Sequence, residues 1–410
     1  MQDYRQSVVN AMFLIMVQGV NYLVPLFLMF HLIKHLGVSG FGEYAFWYSV
    51  LLYVQVVVEY GFSFSGTREV ATANNDTARL SNIFFQVTVA KLLMALLVLL
   101  VAFSCLTLGV IPLTAIFAVL AGIALGLTPN WYFQGLQKLR GMALSSVALR
   151  VVFIVAVYIL IDSESAVEDV LFLQLLSLIP VMLVGNSLAC RKLCWPHAMR
   201  ARDIVQQLKA GWPLFSTTML SMVISNGGIL WLGATATPQV VGVYAAVERV
   251  VKAVLGMFTP ISQALYPLNS KKFAASFESG LRSVLLSGSV MLALALLAVA
   301  FVALTRELWF DVFTIPAEAR SFVAPLLLWA FLSILNNVAG IQTLSASGAA
   351  VRYAMSFKVS ALVFVAVLFS GAASTPVNAV MLALVLAEGS LVVLLLGNIV
   401  HLVRLRRLAS

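Results

Sequence analysis

The feature that most constrains this chain is a series of apolar stretches, each about twenty residues long, that recurs from one end to the other. A hydrocarbon core about 30 Å thick is crossed by a helix of about 20 apolar residues. Breaks rich in charge, Gly, Pro or Asn separate twelve such stretches, at approximately 8–32, 43–64, 82–104, 110–131, 142–161, 168–189, 212–234, 240–268, 283–304, 321–343, 351–371 and 376–400. Hydrophobic residues make up 62% of the chain and charged residues 10%, against about 45–50% and about 25% in soluble domains. No water-soluble fold hides that much apolar surface, so the sequence predicts an all-α polytopic membrane protein. The polar segment Met1–Ser7 leads into the first stretch without a small-residue cleavage signal, which reads as a first transmembrane helix and not a removable signal peptide.

Lys and Arg orient the spans, because short cytoplasmic loops carry their excess. The termini and the even-numbered gaps hold Arg5, Arg68, Arg79, Lys138, Arg191, Lys271, Arg352 and Arg404, among others. The odd-numbered gaps hold only Lys34, Arg306 and Arg320. Both termini are therefore expected in the cytosol, and the net charge of +9 reads as a topology signal facing anionic lipid. Nucleic acid is not an expected partner. The longest connection, about 191–211, is expected to be a cytoplasmic linker between an N-terminal six-helix bundle, 1–190, and a C-terminal one, 212–410. Its segment Asp203–Ala210 has Ile204, Val205 and Leu208 on one face, the pattern of a short interfacial helix.

Six spans per half is an even number, so the halves share one orientation, and weak internal similarity supports a duplication. Gly42, Tyr44 and Ala45 recur as Gly242, Tyr244 and Ala245, and Pro25-Leu26-Phe27 is echoed by Pro213-Leu214-Phe215. Gln134 and Leu136 precede Arg150 as Gln342 and Leu344 precede Lys358. Two-lobed transporters place their substrate between such halves.

Charge inside a span costs about 2.5–3.5 kcal/mol per residue on insertion scales, so retained charges face a cavity or a partner. The spans carry Lys91, Arg150, Arg249, Lys252 and Lys358 against Glu59, Glu248 and Glu388. That cationic bias suits an anionic cargo such as a diphosphate or an acidic sugar. Glu248 and Lys252 are four apart on one helix, the spacing of a local ion pair, which leaves Arg249 as the better cavity candidate. Asn10, Gln18 and Asn21 share roughly one face of span 1 and are equally suited to sugar hydroxyls or to bonds between helices. Trp131, Tyr132 and Phe133 read as an interface belt. Cys105, Cys190 and Cys194 are too few for a disulfide scaffold, and with His197 they do not complete a metal set. The other histidines, His31, His35 and His401, are scattered, and no nucleophile motif or Walker loop accompanies them. The sequence predicts neither an enzyme nor a resident cofactor.

Several segments resemble a known family. Glu59-Tyr-Gly-Phe-Ser-Phe-Ser-Gly-Thr-Arg-Glu-Val-Ala71 resembles its aromatic-Gly-Phe and Thr-Arg-Glu segment after span 2. Pro129-Asn-Trp-Tyr-Phe-Gln-Gly135, Gly242-Val-Tyr-Ala-Ala-Val-Glu-Arg249 and Ala264-Leu-Tyr-Pro267 follow in family order. The family is the polysaccharide-transporter branch of the multidrug/oligosaccharidyl-lipid/polysaccharide (MOP) exporter superfamily, O-antigen flippases of the Wzx kind. The resemblance implies a MATE-like fold of about twelve spans in two bundles. It implies alternating-access movement of an undecaprenyl-diphosphate-linked oligosaccharide repeat unit from the cytosolic to the periplasmic leaflet of the bacterial inner membrane. On it, Arg249, Lys252, Arg150, Lys358 and Lys91 attract the diphosphate or acidic sugars. Glu248, Glu388 and Glu59 are the candidates to carry a coupling proton or sodium ion, and Arg68 and Glu69 serve folding or gating near the cytosolic surface. A polysaccharide polymerase and a chain-length regulator are the implied protein partners. The twelve spans lack the additional pair of lipid II flippases. One rival is a MATE-like antiporter of small molecules, but cationic cargo calls for carboxylates and spans 1 and 7 carry none. The other is a membrane polysaccharide polymerase or ligase, which would need a longer outer loop than the gap at about 305–320.

Overall fold

A computed structural model describes residues 2–409 apart from 74, 75, 192 and 196–199; side chains are described for 23–404, apart also from 139, 140 and 143. Among these residues the chain is almost entirely helical and forms no strand. The helices are α1 Gln2–Glu59, α2 Phe62–Ala71, α3 Thr77–Thr107, α4 Ala115–Leu127, α5 Asn130–Gly135, α6 Leu139–Leu160 and α7 Val167–Cys190. Then follow α8 Ala201–Thr235, α9 Pro238–Ala275, α10 Phe277–Leu304, α11 Arg306–Val312, α12 Arg320–Asn336, α13 Ala350–Phe369 and α14 Pro376–Ala409. A π-helical segment, Asn337–Ser345, continues α12.

Local chemistry sets the boundaries. A straight helix of 58 residues would be about 87 Å long, far more than a bilayer. α1 is broken at Gly37, whose φ of 73° and ψ of 174° suit a residue without Cβ. Asp76 caps α3 by accepting from the amides of Ala78 at 2.9 Å and Arg79 at 3.2 Å. Thr237 precedes Pro238 at the first position of α9, where a missing N–H costs nothing.

Nine helical stretches among the described residues are long and apolar enough to cross a membrane. The difference from twelve has three sources. α1 and α2 are continuous enough to count once, as Leu23–Ala71. The apolar part of α6, Leu144–Leu160, is short. α9, which carries Glu248, Arg249 and Lys252, is not among the nine. Leu92, Leu96, Leu100 and Phe103 of α3 and Leu285, Leu286, Leu297 and Phe301 of α10 are exposed, a side that only lipid solvates cheaply. The chain is a multi-pass membrane protein.

Two compact units are present, residues 35–226 and residues 1–34 with 227–410. This division does not follow the 191–211 connection: the first span to Lys34 belongs with the second half, and α8 up to Asn226 belongs with the first. In the 35–226 unit, Phe62, Leu80, Phe84, Trp131 and Tyr132 form one buried cluster, and Val54, Val58, Ala95, Val119 and Ile123 another. Gly122 and Gly126 let α4 close onto Val54 and Val58 of α1. In the other unit, Phe258, Val284, Met291 and Ile334 form one core cluster, and Leu344, Leu391 and Leu395 another.

Residues 203–210 are not a separate interfacial helix. They begin α8, and Ile204 and Leu208 pack on the Phe62 cluster while Val205 is exposed. Trp131 and Tyr132 are not a surface belt either. α4 ends at Thr128-Pro129, and the short α5 turns both rings into the core, with Phe84 stacked 6.0 Å from Trp131.

Between α10 and α12, Glu307 bonds Arg306 at 2.8 Å and Arg320 at 2.7 Å. The hydrogen bonds from Arg306 and then Arg320 hold its carboxyl below the usual carboxylate range. A depressed folded value means that the cluster's contribution is present at neutral pH and lost as pH falls through that value. With intrinsic exchange divided out, amide protection over residues 305–320 is expected to fall at acidic pH in the wild type, and Glu307→Gln should show the lower protection at neutral pH already.

Candidate functional site

In the 35–226 unit the Glu59–Ala71 segment is a packing junction. Gly61, at φ 77°, lies so close to α8 that a Cβ there would sit 2.7 Å from the Phe215 nitrogen and 2.9 Å from the Gly211 oxygen. Tyr60 stacks on Phe215 with centroids 4.7 Å apart. Thr67 Oγ1 donates to the Trp131 carbonyl at 3.0 Å, and Gly66 gives Trp131 its room. Glu69 Oε2 accepts from Gln207 Nε2 at 2.9 Å, while Arg68 is exposed. The two motifs of α2 and α5 and the start of α8 thus hold one another in place.

Lys91 belongs to this packing. It is fully buried, and its Nζ donates to the Gly126 carbonyl at 2.9 Å while standing 5.9 Å from the centroid of the Trp131 ring. Half-buried Glu59 is in electrostatic reach. Lys91 therefore satisfies a carbonyl near the end of α4 and stabilises the turn into α5. Arg150 of α6 is exposed.

In the other unit, α9 brings three charges together. Lys252 Nζ lies 3.0 Å from Glu248 Oε2, the pair that the spacing predicts. The Tyr244 hydroxyl donates to Glu248 Oε1 at 3.2 Å. Both carboxylate oxygens thus have partners on their own helix. Arg249, half-buried, donates from Nη1 to the Pro25 carbonyl of α1 at 3.2 Å. Lys358 of α13 is exposed.

A second buried carboxylate in this unit was legible, but its setting was not. Asn336 Nδ2 donates to Glu388 Oε2 at 2.6 Å and to the Glu388 carbonyl at 3.0 Å, and Ser333 and Trp329, from the preceding turns of α12, face the same carboxyl. Directly after Asn336 the chain turns π-helical, and a polar chain follows it. Asn337 accepts from Ser262, Gln342 donates to Ser262 at 2.9 Å, and Asn269 links Gln342 to Ser283. Such π segments are frequent at functional sites. Asn336, Asn269 and Gln342 are not among the site candidates that charge in the spans marks, although the Asn336-Asn337 pair inside an apolar span is a visible signal. The side chains of Asn10, Gln18 and Asn21, and His197 altogether, lie outside the described residues. No group of three metal-ligating His, Cys, Asp or Glu side chains exists among the described ones.

Long helices with lipid-facing apolar sides, carrying buried charged groups within each of two units, define a multi-pass membrane protein. Residues 7–273 match the family described as "Polysaccharide biosynthesis protein", and the chain belongs to that family. It is 27% identical over 352 residues to a protein of Escherichia coli (strain K12) named "Putative O-antigen transporter", covering 82% of each. A Shigella dysenteriae protein of the same name is 25% identical over 288 residues, covering 67% of this chain and 70% of that one. Among solved structures, an inward-facing MATE family multidrug resistance transporter of the MOP superfamily matches with a TM-score of 0.74 at 12% identity, over 96% of both chains. The lipid II flippase MurJ in an inward closed conformation matches at 0.70 and 13% identity, over 94% of this chain and 86% of that one. The chain shares its fold with both of these proteins.

Proposed function

We propose that this protein is a flippase for lipid-linked oligosaccharide, moving undecaprenyl-diphosphate-linked repeat units of O-antigen or a related surface polysaccharide from the cytosolic to the periplasmic leaflet of the inner membrane by alternating access, with both termini in the cytosol. The observation that carries this reading is Arg249, a half-buried guanidinium inside a chain of this family that donates to a neutral carbonyl, while Lys252 and Tyr244 hold the carboxylate one residue before it. A guanidinium so placed matches the oxyanions of a diphosphate in charge and in planar geometry. Lys252, one turn on, adds a partly solvated ammonium. Arg150 and Lys358, exposed on α6 and α13, are assigned to cargo attraction along the path. Lys91 is assigned to the fold.

Glu388 is the residue we assign to ion coupling, because it is buried with amide and hydroxyl partners in place of a cation. Glu248 suits that role less, since Lys252 and Tyr244 occupy its oxygens. The same occupancy argues against a cationic drug as cargo. Cells lacking the gene should accumulate single lipid-linked repeat units that an impermeant sugar-labelling reagent cannot reach from outside the inner membrane. Arg249→Met should fail to restore labelling even where it accumulates in the membrane.

A further inference from the structure

Arg352 stands in the first turn of α13 and is half-buried. Its Nη1 is shut off from water and has no hydrogen-bond partner among the described residues. A guanidinium is charged at every physiological pH, so a covered nitrogen without an acceptor costs free energy in every state of the protein. The surrounding chain offers no anion. Between Asn337 and Ser410 the one carboxylate in the sequence is Glu388, and Asn336 donates to its Oε2.

More positive charge gathers at the same level. α13 and α14 run antiparallel, since Ser360 donates to the Ala387 carbonyl at 2.8 Å and Asn398 donates to Ser356 at 3.1 Å. One turn back along α13 and one turn on along α14 therefore set Arg352 beside Leu402, which packs on the same cluster as Ala349 and Tyr353. His401 and Arg404 flank Leu402 and are exposed. Along α13, Val351, Met355, Val359 and Leu362 are exposed and share one face, a stripe that lipid solvates cheaply. A helical side chain leans toward the start of its helix, so the Arg352 guanidinium is held where this stripe gives way to the membrane surface.

We propose that the start of α13 is a binding site for the phosphate of a resident glycerophospholipid. Arg352 holds the phosphate, Arg404 reaches it from α14, and the acyl chains lie along the stripe from Val351 to Leu362. Charge-assisted bonds to phosphate oxygens are the strong partners that a guanidinium fork lacks here. The ligand is a bilayer lipid and not the cargo, because cargo that departs would leave the nitrogen bare for part of every cycle. The lipid fastens the ends of α13 and α14 together, and the site stands whether or not the chain is a flippase.

The test is thermal unfolding of the full chain, delipidated in a maltoside detergent, with added phosphatidylglycerol or with a neutral digalactosyl diacylglycerol of the same acyl chains. Phosphatidylglycerol is expected to raise the wild-type Tm by several degrees more than the glycolipid does. In Arg352→Leu the two lipids should act alike, and Arg352→Lys should keep part of the preference. Without lipid, Arg352→Leu should melt no lower than the wild type, since it deletes a buried charge that has no acceptor. A variant destabilised equally with and without phosphatidylglycerol would overturn the proposal and make Arg352 a packing residue. Inorganic phosphate stabilising the wild type as well as phosphatidylglycerol would overturn the lipid, and a stronger response to farnesyl diphosphate, lost in Arg352→Leu, would give the site to the cargo instead.

Discussion

Gly61→Ala is expected to destabilise the 35–226 unit by about 2–5 kcal/mol, the sum of a left-handed backbone penalty and overpacking. At φ 77° an L residue is strained wherever it stands. Here the added methyl also meets backbone atoms, the Phe215 nitrogen at 2.7 Å and the Gly211 oxygen at 2.9 Å, which cannot swing aside as a side chain can. Relief would require α8 to draw back and break the Tyr60–Phe215 stack and the Glu69–Gln207 bond. Gly109 supplies the control, since its φ is 69° but nothing lies within 4 Å of the place its methyl would take. Gly109→Ala should therefore cost only the backbone term, about 1–2 kcal/mol. Thermal unfolding of the two purified variants in detergent measures the difference. Equal losses would show that the close approach to α8 carries no energy.

Lys91→Glu is expected to prevent accumulation of folded protein, whereas Lys91→Met should fold and still transport. The Nζ of Lys91 meets the Gly126 carbonyl and the face of Trp131, with Glu59 in electrostatic reach. A carboxylate there would face an oxygen, the negative face of a ring and a second carboxylate, and an uncompensated buried charge costs about 3–5 kcal/mol. Methionine nearly matches the lysine stem in length and brings no charge to desolvate. Its cost is the lost bond to Gly126, about 1 kcal/mol net. Membrane abundance and flipping of the two variants, measured beside Arg249→Met, separate fold from cargo. A Lys91→Met protein that accumulates normally but fails to flip would place Lys91 in the cargo path.

The fold was legible because span length is a property of the bilayer and not of tertiary contacts, so apolar stretches near twenty residues announced themselves without any knowledge of their neighbours. The Glu248–Lys252 pair was legible for a similar reason, since both members lie on one helix. What the sequence could not supply was partners across distance. Lys91 meets a carbonyl 35 residues away, Glu388 an amide 52 away and Glu69 an amide 138 away. A charged residue in a span signals that it has a partner, but not which. Trp131 and Tyr132 were misplaced because an aromatic cluster beside Pro129 looks the same whether the helix stops at the membrane surface or folds back into the core. Only the packing with Phe84 and Gly66 distinguishes these. The exchange of the first span and the start of α8 between units left no trace in composition, because both are apolar in either place.

The proposed movement of lipid-linked oligosaccharide across the inner membrane is read out by the sidedness of that lipid in cells lacking the gene. Recovered lipid-linked oligosaccharides are sized, and their exposure is read with a sugar-labelling reagent that does not cross the inner membrane. Single repeat units hidden from the reagent, and exposed when the gene is restored, are the predicted result. Single units already exposed without the gene would contradict it and point to polymerisation as the missing step.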